Sequence, residues 1–389
     1  VIRFAPPRAP RHVDHAVVYR REDEFCSWPF TSGFWENAQG TLIANFTSRT
    51  VSYASGDAIR HDVLGQNSTG PKTVTVRSHD RGRTWDGDNP QLNMMAGPGG
   101  AGGAAQMAQM PAAFAEPVDY LDRDVLVSNG SGGGFATASA RGTVRLSRDG
   151  GKSWGPTVLL PLDGLPSTTG VQSVLVRPDG RCLLFMFSVE KDNSRRRPLV
   201  YASVDEGRAF HFLSYIVPKV DPWGQADGNY DDPSVAFVGH RWFYPRGYML
   251  PNGRILCTIR CQRDPTGVMW SEVYHSDDGG ETWHFLSRIN DFGAPCVLVI
   301  MPDGRIVAVY GYRLMPAGIR ASVSEDGGRS WGPEIIVRND GGSWDLGYPN
   351  AWHAGDGLVG AIYYFNSKDD KVQANGGVRH VQRSLFSID

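Results

Sequence analysis

Arg260 closes an apolar run, Ile255-Leu-Cys-Thr-Ile259, and a guanidinium on such a strand is costly unless a buried carboxylate or a ligand partners it. Polar stretches nearby could supply more chemistry. Asn229-Tyr-Asp-Asp-Pro233 contributes Asp232, and Tyr244-Pro-Arg-Gly-Tyr-Met-Leu-Pro-Asn-Gly253 contributes Tyr244 and Arg246. Elsewhere, Trp344-Asp-Leu-Gly-Tyr-Pro-Asn350 offers Asp345 and Tyr348, and one loop holds Asp57, His61 and Asp62. Arg49, Arg313, Glu116 and Trp35 complete the candidates. Guanidinium forks bind carboxylates bidentately, and nearby positive charge lowers the pKa of a tyrosine or carboxyl group. Arginines beside Tyr, His and Asp therefore suit an acidic sugar, with the aromatic rings as stacking surfaces.

The elements that must carry these residues come from a repeat. Five stretches follow Ser-x-Asp-x-Gly-x-Thr/Ser-Trp: Ser78–Trp85, Ser147–Trp154, Ser203–Phe210, Ser276–Trp283 and Ser324–Trp331. The third is worn, with Ala209 and Phe210 in place of the hydroxyl and the indole. Each follows a strand-like run: Thr73–Arg77, Thr143–Leu146, Leu199–Ala202, Glu272–His275 and Ile319–Val323. The Asp accepts hydrogen bonds within its own turn and the Gly takes positive φ, so the motif builds a hairpin corner. A second series of turns precedes apolar strands at Thr41–Phe46, Cys182–Phe187, Ile255–Ile259, Ile306–Tyr310 and Leu358–Tyr364. A sixth unit lacks a box but keeps a strand at Val378–Phe386. Six four-stranded antiparallel units predict an all-β, six-bladed β-propeller as one domain over residues 1–389. The strand near His15–Arg20 is expected to pair with the last blade.

Composition narrows the classes. The formal net charge of -2 argues against nucleic acid as an obligate partner. No run of about 18 apolar residues predicts a membrane span. The five cysteines do not form a disulfide framework, and no zinc-ligand spacing is present, so neither metal nor cofactor is expected. Asn45, Asn67 and Asn129 lie in N-x-S/T sequons. A chain starting at Val1 is read as a mature, secreted or periplasmic form. Met94–Met110, rich in Gly, Ala, Met and Gln, is read as an inter-blade loop or a flap contacting ligand.

The boxes and the turn-strand series resemble the sialidase superfamily, the Asp-box or BNR-repeat proteins, over nearly the whole chain. That resemblance implies a propeller on which three arginines hold a carboxylate, an Asp acts as acid, and a Tyr nucleophile pairs with a Glu base. By position it assigns pocket arginines to Arg49, Arg260 and Arg313, with Arg320 the alternative to Arg313. It puts the acid at Asp62 or His61 and the nucleophile at Tyr348. Two departures stand out. Where the first arginine belongs the chain reads Cys26-Ser-Trp-Pro-Phe30, which argues against ordinary sialic acid hydrolysis. Where the Glu base belongs it has Tyr244, and Glu116 is the one substitute from another blade. Arg379-His380 reads as structural.

The resemblance implies an exo-acting glycoside hydrolase that removes a terminal acidic sugar. Two alternatives stay open: a uronate-specific lyase using His61 or a tyrosine as base, and a non-catalytic carbohydrate-binding propeller.

Overall fold

The computed structural model describes residues 5–61, 63–94, 107–189, 196–217, 241–262 and 268–389. Strand β1 (Val13–Tyr19) comes first. A five-stranded sheet follows, of β2 (Glu24–Ser27), β3 (Phe34–Glu36), β4 (Leu42–Thr50), β5 (Thr69–Ser78) and β6 (Gln91–Met94), with the one-turn helix α1 (Pro29–Ser32) between β2 and β3. The next sheet has three strands, β7 (Leu126–Gly132), β8 (Arg141–Ser147) and β9 (Val158–Leu159). Two four-stranded sheets follow: β10 (Thr169–Val176), β11 (Cys182–Val189), β12 (Arg196–Val204) and β13 (Ala209–Tyr215); then β14 (Arg241–Met249), β15 (Ile255–Gln262), β16 (Met269–Ser276) and β17 (His284–Arg288). The fifth sheet is β18 (Cys296–Ile300), β19 (Ile306–Tyr312), β20 (Gly318–Ser324) and β21 (Ile335–Arg338). The last is β22 (Gly347–Gly355), β23 (Leu358–Phe365) and β24 (His380–Ser387), completed by β1.

The fold is all-β, a six-bladed β-propeller of small antiparallel sheets. β1 pairs with β24 from Val13↔Phe386 to Tyr19↔Val381, as the N-terminal pattern predicts. Strand count departs from four in two sheets: β3 adds a short strand to one, and another has three among the described residues. The chain divides into two compact units, one of Val1–Phe34, Gly40–Met95 and Ser287–Asp389, the other of Trp35–Gln39 and Ala96–Leu286.

The boxes form the corners the sequence predicts. In the first, Gly82 N–H donates to Ser78 Oγ at 2.8 Å, and Thr84 N–H and Oγ1–H donate to Asp80. Gly82 has φ 81, and a Cβ there would meet Trp352 at 2.1 Å, so no other residue fits. Asp149, Asp278 and Asp326 repeat the arrangement. In the worn copy, Ser203 Oγ instead accepts from Cys182 N–H, and Phe210 fills the buried place. Within each unit, alternate strand residues build the core: Leu42, Ala44 and Phe46 pack with Val74, Val76 and Trp352 in one, Leu184, Met186 and Tyr201 with Phe210 in the other. Burying each large apolar side chain contributes about 1.5–3 kcal/mol.

The first strands of three sheets carry a β-bulge with a non-glycine residue in the left-handed region. Gln172 in β10 has φ 56, Tyr244 in β14 has φ 56 and Tyr348 in β22 has φ 49. Each costs about 1–2 kcal/mol and re-aims its side chain, a device common beside functional sites.

Candidate active site

The candidates fall in both units. In the first, Asp345 lies just ahead of β22 and is almost fully buried. Its Oδ1 stands 3.2 Å from His61 Nδ1 and accepts from the Tyr364 hydroxyl at 2.5 Å. Its Oδ2 lies 3.8 Å from Arg379 Nη2, and Asn366 Nδ2 donates to its carbonyl. Burial alone would raise the Asp345 pKa, but His61, Arg379 and Tyr364 together hold it below the usual carboxylate range. For His61, burial works to lower the pKa, and the hydrogen bond and charge of Asp345 outweigh it, raising the pKa above 6.5. With Nδ1 engaged by Asp345, Nε2 is the ring nitrogen left to act on anything bound.

Aromatic rings surround this pair. Trp28 meets His61 edge-on at 5.3 Å and Trp344 lies 6.2 Å from it. Tyr348 packs 5.9 Å from Tyr364 and edge-on to Phe30 at 6.4 Å. Arg313 sets its guanidinium 5.3 Å from both the Trp344 and Tyr348 rings. Tyr348 is 4 % exposed and Trp344 46 %, so the cluster runs from a buried phenol to an open indole. Phe30, in the stretch where an arginine was expected, is fully buried. Arg49 is the direct cross-strand partner of Phe25 and so shares its face of the sheet, the face on which Arg379 lies over the Phe25 ring. Arg49 is partly buried, burial lowers its pKa, and its Nε has no hydrogen-bond partner among the described residues.

The second unit has its own cluster. Arg260 is buried, donates from Nη2 to Gln262 Oε1 at 2.7 Å, and lies over the Phe243 and Tyr244 rings at 5.1 and 5.3 Å. The expected partner of this arginine thus includes an amide oxygen and two ring faces. Tyr244 stacks on Phe135 at 6.1 Å, and Arg246 donates to the Gln172 carbonyl at 3.2 Å. Burial lowers the Arg246 pKa. Glu116 is exposed, on an open groove with Phe114, Leu146 and Arg148. Trp35 donates its indole N–H to the Val127 carbonyl and packs on Trp154, which occupies its polar edge in the fold.

Asp62, Asp232 and most of Met94–Met110 lie outside the described residues. Of the sequon asparagines, Asn45 and Asn129 are buried and Asn67 is exposed. All five cysteines are buried, and among the described residues no disulfide joins them. Among the described residues no group of three or more His, Cys, Asp or Glu could hold a metal ion, and no helix is long and apolar enough to cross a membrane. Sequence reasoning missed Trp28, Trp344, Tyr364 and the contact of Arg379 with Asp345. Only Trp344, an aromatic beside Asp345 in a loop, carried a signal that could have been used.

A family model, BNR/Asp-box repeat, matches residues 274–285, the fourth box. A protein of unknown function from Dyadobacter fermentans is similar at 21% identity and TM-score 0.68, covering 97% of this chain and 99% of that one. Trypanosoma rangeli sialidase is similar at 14% identity and TM-score 0.52, over 97% of this chain and 60% of that chain. An alpha-L-arabinanase from Penicillium chrysogenum, complexed with arabinobiose, is similar at 12% identity and TM-score 0.55, covering 96% and 97%. Comparison with curated proteins finds no match. The chain is by fold a sialidase-like Asp-box propeller, a fold it shares with glycoside hydrolases.

Proposed function

We propose that the chain is an exo-acting glycoside hydrolase that removes a terminal, acidic sugar from a glycan. The observation that carries this is the His61–Asp345 pair beside Tyr348. His61 gives its Nε2 proton to the glycosidic oxygen as the bond to the anomeric carbon breaks, and the leaving sugar departs as a neutral alcohol. The Tyr348 phenol, re-aimed by its bulge, stabilises the positive charge left on the sugar. Water then attacks that carbon, and neutral His61 takes its proton and is reset. Arg313 and Arg49 supply the positive charge for a carboxylate on the substrate. The exposed Trp344 gives the leaving sugar a ring face. Glycan substrates place such an enzyme in a secreted or periplasmic setting.

A uronate lyase with His61 as its base would need that ring neutral, and the contact of His61 with Asp345 favours the protonated ring, which suits an acid; a lyase with a tyrosine as base is separated from the hydrolase by its product. The test is leaving-group dependence. His61→Gln should lose about 100-fold or more in kcat/KM on a sugar-sugar linkage, yet lose little on an aryl glycoside whose leaving group needs no proton. Equal losses on both would remove His61 as the acid.

A further inference from the structure

Asp345 Oδ1 serves two donors: His61 Nδ1 at 3.2 Å and the Tyr364 hydroxyl at 2.5 Å. An O–H···O⁻ bond of that length is a strong one, and it withdraws charge from the oxygen that also faces the imidazole. Tyr364 is fully buried on β23, and burial together with the charge of Asp345 keeps its phenol protonated. It is therefore a fixed, neutral donor. We propose that Tyr364 is a positioning residue that competes with His61 for Asp345 Oδ1 and so sets how firmly the imidazole keeps its proton. The inference rests on the reading of His61 as proton donor: an acid held too tightly protonates its leaving group poorly.

Other titratable and charged groups bear on His61. Asp345 comes from the turn before β22, Tyr348 from β22, Arg313 from the turn after β19, and Arg379 from ahead of β24. Its own loop adds Arg60, 3.9 Å from Asp57. Removing the Tyr364 hydroxyl changes no net charge among these groups, because the phenol is neutral. Its effect on His61 must then pass through the shared oxygen.

The test is a pH titration of the His61 ring by NMR in the full chain with labelled histidine, assigned by loss of its signal in His61→Gln. Tyr364→Phe should raise the midpoint by about half a pH unit or more. Asp345→Asn should move it the other way. If Tyr364→Phe does not fold, 3-fluorotyrosine at position 364, a stronger donor of nearly the same shape, should lower the midpoint. A midpoint that stays put, or moves oppositely, overturns the proposal. The titration needs no substrate, so its failure is separable from failure of the hydrolase reading. In an active enzyme, the alkaline limb of the kcat/KM profile should shift upward with Tyr364→Phe, which a merely structural role would not cause.

Discussion

At the residue scale, one buried carboxylate organises the first unit's cluster. Asp345 has a lowered folded-state pKa, so its contribution to stability is present above the ordinary Asp value near pH 4 and is lost as pH falls through the folded value. His61 has a raised folded-state pKa, so its contribution is full below pH 6.5 and is lost as pH rises through the folded value. Both terms are complete between those limits. The urea midpoint of Asp345→Asn should therefore fall furthest behind that of the native chain at about pH 4–6.5, with the gap narrowing on each side. A gap that is constant across pH would mean the pair contributes packing alone.

Most of this cluster was not legible in the sequence, for a physical reason. His61 and Asp345 are 284 positions apart, and only the fold brings them together. Tyr364 sits in Leu358–Phe365, a run that reads as core, and it is indeed fully buried; what the pattern hides is the direction of its hydroxyl. Tyr348, Arg313 and His61 were legible as candidates through the positions that the sialidase resemblance assigns them. Trp28 was missed because Cys26–Phe30 was read only for the arginine it lacks.

At the element scale, the boxes were legible almost in full, because each is a local turn whose hydrogen bonds close within a few residues. Asp326 accepts from Ser324 Oγ–H, from Arg329 and Ser330 N–H, and from Ser330 Oγ–H, and its pKa is lowered to about 2 even though burial opposes this. Asp205, in the worn copy, sits at φ 52 and meets Arg208 at the surface. Asp326→Ala should cost about 2 kcal/mol in urea unfolding, and Asp205→Ala no more than about 0.5 kcal/mol. Equal costs would mean that the box bonds do not stabilise the corner. The bulges of β10, β14 and β22 were not legible, since a strand pattern does not mark where an extra residue is inserted.

At the scale of the whole molecule, repeat counting predicted six sheets because radial repetition leaves a periodic trace in the chain. The short β9 and the extra β3 escaped it, since neither carries a repeat signature. We propose that residues 1–389 form one domain. The support is that every sheet is built of antiparallel neighbours, mostly in chain order, and that β1 pairs with β24. Tryptophan fluorescence and far-ultraviolet circular dichroism should then report one coincident urea transition, whereas two separate transitions would contradict this.

The measurement that bears most directly on the account is product analysis by mass spectrometry and ultraviolet absorbance after incubation with sialylated and uronate-containing glycans. The account predicts release of an intact, saturated terminal monosaccharide, with release slowed about 100-fold or more by His61→Gln. An unsaturated uronate product would contradict it and make the chain a lyase, and a panel returned unchanged would contradict an acidic-sugar hydrolase.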